Sequence, residues 1–181
     1  YGVKPDTAKP PLKSLQLRPE DGGNTDGIRM TMFYYADDGN GSFLPSSSGH
    51  FEWNYTELSK CKLPYGGPTW CMTENMANAT YRGFNVPHHT ASYWAMYHVA
   101  RHYDKLRTRR SWRWYLERMA KTALKVGSPD TGLMDGTVFR EVLVALQEEA
   151  AADPSNATVA QWAQQLSTNM KHRQQKWARE P

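Results

Sequence analysis

Four amphipathic helical patterns in succession, with short links between them, constrain the fold of this chain more than any other feature. The first, His88–Asp104, carries Tyr93, Tyr97, Ala100 and Tyr103 on one stripe, with Trp94 and Val99 elsewhere on the circumference. A helix apolar nearly all round is expected to be buried. Pro87 stands where the first helical position is expected, a place that tolerates proline. The second, Trp112–Val126, sets Trp112, Tyr115, Leu116, Met119, Ala123 and Val126 at helical spacing. Ser111 is its candidate cap and Gly127 its stop. Glu117 precedes Lys121 by one turn, the favourable order for a surface ion pair. The third, Gly136–Ala150, shows Val138, Phe139, Val142, Leu143 and Leu146 behind the candidate cap Asp135. The fourth, Ser155–Trp177, shows Val159, Trp162, Ala163, Leu166 and Met170 and is entered through Asp153-Pro154. Short links make neighbouring helices antiparallel hairpins.

The first half reads differently. Residues 1–27 are rich in Pro, Gly and Asp and read as an extended entry segment. Ile28 to Tyr35 is β-branched and aromatic enough for one strand. Ala36 to Gly49 consists of turn and loop residues. From His50 to Tyr81 the chain is aromatic but punctuated by Gly and Pro, which predicts long ordered loops with a short helix near Thr73–Thr80. The expected fold is therefore mainly α. A short β and loop-rich segment over residues 1–64 precedes helical hairpins over 65–181.

Composition narrows the function classes. The chain has 181 residues, room for one ordinary domain or part of a larger one. Aromatics reach 12%, with seven Trp and ten Tyr, a load that is packed or used to hold a ligand rather than left in a disordered tail. No stretch approaches the ~20 apolar residues that cross a bilayer, so no membrane span is expected. The net charge of +4 comes from 22 basic and 18 acidic residues, too mild and too well mixed to indicate a nucleic-acid partner. The charge is uneven: residues 1–87 hold 8 basic and 9 acidic residues, and residues 88–181 hold 14 and 9. Lys105, Arg107, Arg109, Arg110 and Arg113 concentrate it, either as a solvated connection or as a site for an anionic glycan or partner.

Cys61 and Cys71 flank a short stretch containing Pro64, Gly66, Gly67 and Pro68. A disulfide there would close a short loop and stabilise the fold by roughly 2.5–3 kcal/mol on the chain-entropy account; two free thiols are the alternative. Four N-glycosylation sequons, at Asn40, Asn54, Asn78 and Asn156, tip the reading toward a secreted, extracellular glycoprotein with a Cys61–Cys71 disulfide. The chain begins at Tyr1 without a signal peptide, which reads as a processed or truncated start.

Two strings, Tyr65-Gly66-Gly67-Pro68-Thr69-Trp70-Cys71-Met72-Thr73-Glu74-Asn75 and Tyr81-Arg82-Gly83-Phe84-Asn85-Val86-Pro87-His88-His89, carry a resemblance. So do Trp112-Arg113-Trp114-Tyr115-Leu116-Glu117-Arg118 and Gly132 to Glu141. Together, over about residues 28–150, they resemble a large secreted family in the six-hairpin glycosidase superfamily. The resemblance implies a β-rich region followed by an α/α toroid of twelve helices paired as six hairpins. It also implies carbohydrate chemistry. Twelve helices need roughly 190 residues at ordinary helix and loop lengths, and four are evident. The chain thus reads as a fragment of a larger enzyme, one that folds with the remainder of its polypeptide or with a companion chain as partner.

Glycoside hydrolysis takes two carboxyl groups across the scissile bond. The candidates are Glu74, Glu141, Asp135 and Glu52. Glu74, flanked by Trp70 and Asn75, suits a general acid, since a carboxyl against an indole is pushed upward; its structural alternative is a helix-start carboxylate. Glu141 lies one turn into an apolar helix, either inward and functional or partnered to an arginine. Asp135 more often caps a helix. The cluster Tyr81, Arg82, Asn85, His88 and His89 supports an alternative, a polysaccharide lyase. There Asn or Arg neutralises a uronate carboxylate, and His88 or Tyr81 removes the adjacent proton. The bland reading of these residues is loop support and helix capping. Trp70, Tyr81, Arg82, Asn85, His89 and Trp94 are candidate substrate-binding residues, since flat aromatic faces stack on pyranose rings. His98 and His102 share a helix face but lack a zinc motif, so no metal is expected. No cofactor is indicated. A third reading is a non-catalytic glycan-binding or structural piece.

Overall fold

The computed structural model describes residues 14–21, 26–29, 43–45, 51–53, 77–78, 80, 85–125 and 136–179. The chain divides into two compact units, Tyr1–Arg82 and Gly83–Pro181. The expected boundary between residues 64 and 65 lies outside the described residues, as do most of the predicted 28–35 strand and the cap Asp135.

In the first unit an isolated antiparallel bridge joins Gln16 to Ile28. Leu17 N–H donates to the Gly27 carbonyl at 2.9 Å, and Arg29 N–H to the Leu15 carbonyl at 2.8 Å. The Gln16 side-chain amide donates to the Asp26 carbonyl at 3.0 Å, which satisfies a polar group buried beside Ile28. Asp26 adopts a φ of 52°, the left-handed region that aspartate tolerates better than most residues. Arg29 holds the loop from two sides. Its Nε donates to Asn78 Oδ1 at 2.8 Å and its Nη1 to the Ser14 carbonyl at 2.7 Å. Ala77 and Asn78 are helical, within the short helix expected near Thr73–Thr80. Two strands, β1 (Phe43–Pro45) and β2 (Phe51–Trp53), pair antiparallel with Leu44 opposite Glu52. The reading of Ala36–Gly49 as loop throughout is corrected by β1. Three residues are too few to show an alternating pattern, and their pairing with β2 is what makes them a strand.

The second unit is helical: α1 (Asn85–His102), α2 (Trp112–Leu124), α3 (Gly136–Ala152) and α4 (Ala157–Trp177). Each of the four predicted segments forms, with ends shifted by at most a few residues. α1 starts at Asn85, ahead of the expected start, because Pro87 sits third in the first turn, where an N–H has no intrahelical partner to lose. Ser111 caps α2, its side chain accepting from Trp114 N–H at 3.3 Å. Asn156 caps α4 in the same way, accepting from Val159 N–H at 3.4 Å.

Ring contacts fix the direction of the first hairpin. Tyr97 meets Trp112 at 6.4 Å and Tyr93 meets Trp114 at 5.9 Å, so α1 descends as α2 ascends. In the second, the guanidinium of Arg173, near the end of α4, lies 5.4 Å from the ring of Phe139, near the start of α3. Both pairs are antiparallel hairpins. The core is a stripe from each of three helices: Tyr115, Leu116, Met119, Ala120 and Ala123 of α2, Phe139, Val142, Ala145 and Leu146 of α3, and Val159, Ala163 and Leu166 of α4. Their spacing of three and four residues puts each set on one face. Burial of each large side chain contributes about 1.5–3 kcal/mol.

The expectation of an all-round buried α1 is corrected. Val86, Pro87, Thr90 and Tyr97 are buried, whereas Ser92 and Ala95 are exposed and Tyr93 and Trp94 half-buried. Tyr and Trp pair a large apolar body with a polar tip, so an aromatic circumference does not require a dry one. Thr90 is fully buried because its hydroxyl donates back to the Val86 carbonyl at 2.8 Å.

Candidate functional site

The most developed site lies where the two hairpins meet. Glu149, on the last turns of α3, is buried among apolar neighbours. A lone carboxylate there would be costly. Two donors from α1 offset that cost: Tyr97 Oη donates to Glu149 Oε1 at 2.6 Å, and Arg101 Nε donates to the same oxygen at 2.7 Å. These two α1 residues lie one helical turn apart, so both reach one carboxylate. Burial first, then the hydrogen bond to Glu149, pushes the Tyr97 phenol well above its ordinary value. The bond to Glu149 raises Arg101 as well.

Beside this clamp opens a crevice of about 340 Å³, lined by Arg101, Trp112, Arg113, Leu116 and Glu117 on one side and by Glu149, Ala152, Asp153, Asn156, Val159 and Trp162 on the other. Trp112 has two guanidinium groups against it, that of Arg101 at 4.6 Å and that of Arg113 at 4.4 Å from the ring centre. Trp162 is half-buried and, among the described residues, carries no such cover. Glu117 is paired with Lys121 at 2.6 Å and with Arg118 at 2.8 Å. Burial alone would raise its carboxyl, but the Lys121 hydrogen bond and charge, with Arg118, hold it below its ordinary value. Asp153 is exposed at the α3–α4 turn and accepts from Ser155 Oγ at 2.6 Å. The lining thus combines indole faces, carboxylate acceptors and guanidinium donors, the side chains that hold hydroxylated rings. Among the described residues no three His, Cys, Asp or Glu side chains are placed to hold a metal ion, and no described helix is long and apolar enough to cross a membrane.

Sequence reasoning singled out other positions. Of the predicted catalytic residues, Glu74 lies outside the described residues. Glu141 is partly exposed beside Arg140, 4.0 Å away. His88 is exposed on the first turns of α1. Among the described residues no hydrogen bond or ion pair joins Glu141 to His88 or His89, and none of these lines the crevice. Of the binding candidates, Trp70, Tyr81 and Arg82 lie outside the described residues. Asn85 opens α1, and His89 is half-buried there. Burial first and the neighbouring His88 second push the His89 imidazole below its ordinary value. The Trp94 ring meets His98 at 4.3 Å and His98 meets His102 at 5.1 Å, both tilted, in a row along one α1 face. The Trp94 indole N–H is buried and has no hydrogen-bond partner among the described residues. Asn40, Asn54, Cys61 and Cys71 lie outside the described residues. Asn78 is half-buried and held by Arg29, whereas Asn156 is exposed at the crevice mouth.

The crevice residues Trp112, Glu149 and Trp162 were missed as site residues because each also fits a helix pattern. One signal was available: Tyr97 and Arg101 lie a turn apart on one helix, and Glu149 sits in an otherwise apolar stripe with Val142, Ala145 and Leu146.

Compared with known proteins, residues 12–181 match the model of a family described as a family of unknown function (DUF5695). No curated protein and no solved structure matches the chain.

Proposed function

The chain belongs to that family, and we propose that it is part of a secreted carbohydrate-active enzyme, a glycoside hydrolase by preference, in which these hairpins form one wall of the sugar-binding cleft. The observation that carries this reading is the crevice between the two hairpins, where two indoles, three carboxylates and two guanidiniums converge. The indole of Trp162 offers a face for a pyranose ring, and the carboxylates and guanidiniums around it are hydrogen-bond partners for sugar hydroxyls. The same reading takes the two antiparallel hairpins as members of an α/α toroid of the six-hairpin glycosidase type. Further helices from the same polypeptide or a companion chain would complete it.

The crevice carboxylates suit binding better than proton donation. Glu117 is held ionised by Lys121 and Arg118. Glu149 Oε1 already accepts two hydrogen bonds. The general acid of this proposal is therefore Glu74, with the indole of Trp70 beside it in sequence. Incubation of the longest purified form with a broad polysaccharide panel is expected to release new reducing ends; a blank panel sinks the hydrolase. Glu74→Gln is expected to keep glycan binding and lose turnover. Unchanged turnover would place the general acid elsewhere, and glycan binding with no turnover in the unsubstituted chain would leave a non-catalytic binding piece.

A second reading, a polysaccharide lyase, has its own support in His89. An imidazole held below its ordinary value is neutral at neutral pH and able to take a proton from the carbon beside a uronate carboxylate. Its product would be an unsaturated uronide absorbing in the near ultraviolet. No such absorbance from uronic-acid polymers removes it.

A further inference from the structure

The α1–α2 connection exposes Lys105, Arg107, Arg109 and Arg110, and exposed Arg113 follows as the second residue of α2. Asp104 is the single acid from residue 103 to 113. Among the described residues none of the five cations has an ion-pair partner. Five unneutralised cations over nine residues repel one another and raise the local potential, a cost to folding that a bound anion would relieve. Two of them are also pre-oriented. The Arg113 guanidinium lies 4.4 Å from the Trp112 ring and that of Arg110 lies 5.5 Å from Trp114. A guanidinium laid on an indole keeps its planar fork of N–H donors free at the edge, the geometry that takes carboxylate or sulfate two bonds at a time.

The patch is continuous with the crevice, since Trp112 and Arg113 belong to both. Inside, Trp162 offers an indole with no ring or cation packed on it among the described residues. We infer that the crevice and the α1–α2 connection bind an acidic polysaccharide, one bearing uronate carboxylates or sulfates. Arg113 reads the acid group of the residue stacked on Trp162, and the cations of the connection hold the strand beyond it. This rests on the carbohydrate reading above and adds the charge class of the substrate. A saccharide fits better than a nucleic acid. Glu117 and Asp153 in the lining oppose any anion, so the ligand they suit carries hydroxyl-rich rings that donate to them beside acid groups that meet Arg113.

The test is calorimetric titration of the full chain with oligogalacturonate, a chondroitin sulfate oligosaccharide, a neutral cello-oligosaccharide and a DNA duplex. At least one acidic oligosaccharide is expected to bind tenfold or more tighter than the neutral one, and to weaken as salt rises. Arg113→Gln, at an exposed position, is expected to remove that preference while leaving the melting temperature in place. Trp162→Phe should retain part of the binding, and Trp162→Ala should lose it for acidic and neutral sugars alike. Equal binding of acidic and neutral sugars overturns the inference and leaves the carbohydrate reading standing. DNA binding as tight as the acidic sugar, or an Arg113→Gln variant with unchanged preference, also overturns it. No binding of any sugar, together with a blank hydrolysis panel, removes both.

Discussion

The α1–α2 hairpin turns through residues 103–111, with four cations and an exposed Tyr103 and Leu106, whereas the α3–α4 hairpin turns through Asp153-Pro154-Ser155-Asn156. Their interiors differ as well. The first is joined by rings and guanidiniums, with Tyr97, Trp112, Tyr93 and Trp114 edge to face. The second is joined mainly by Phe139, Val142, Leu146, Val159 and Leu166. A short turn and an aliphatic seam make a hairpin stable at little cost in exposed charge. A long basic turn on an aromatic seam gives up part of that and holds polar side chains outward. The contrast assigns anchoring to α3–α4 and recognition to α1–α2, and it can be broken at named residues.

The largest effect is expected in the aliphatic seam. Phe139→Ala should destabilise the chain by about 4 kcal/mol, read from chemical denaturation, because a fully buried ring leaves a cavity. A loss below 1 kcal/mol would mean that α3–α4 is not the anchor. Next comes the link between hairpins. Glu149→Ala leaves the buried Tyr97 hydroxyl without its acceptor, while the partly exposed Arg101 turns to water, and should cost about 2 kcal/mol, with faster amide exchange in α1 than in α4. Equal protection in both helices would show that the clamp does not couple them. Smaller again are the caps. Ser111→Ala and Asn156→Ala should each cost about 1 kcal/mol, and a large difference between them would reveal that one turn is held by something besides its cap.

The smallest effects concern pH. Glu117 is held below its ordinary 4.5 in the folded chain. Its contribution is therefore complete above 4.5 and fades as pH falls through the depressed folded value. Lys121→Met should flatten that acid limb, and an unchanged limb would show the pair to be idle. His89 lies below its ordinary 6.5, so it favours the folded state above 6.5 and less as pH falls below it. An imidazole proton titration with a midpoint at or above 6.5 contradicts this.

Much of this contrast was legible in the residues. The helical segments, the Ser111 cap and the Glu117–Lys121 pair follow from local spacing, and each is present. The basic connection was legible as a charge cluster, though not as one without ion-pair partners among the described residues. Trp112 and Trp162 were visible only as members of apolar stripes, since a stripe does not say which of its residues ends at a seam's edge. The crevice was not legible, because its walls come from residues 101–117 and 149–162, brought together by hairpin packing.

Local physics therefore settled what the sequence could settle alone: which segments become helices, where α2 and α3 start, and which face of α2, α3 and α4 is apolar. These depend on neighbours one turn away. Tertiary packing alone decided that Glu149 would meet Tyr97 and Arg101 across about fifty positions of chain, and that Trp162 would face the same opening as Arg113. A carboxylate buried in an apolar stripe is tolerable only once a second helix supplies its donors, and no local spacing encodes which helix that is.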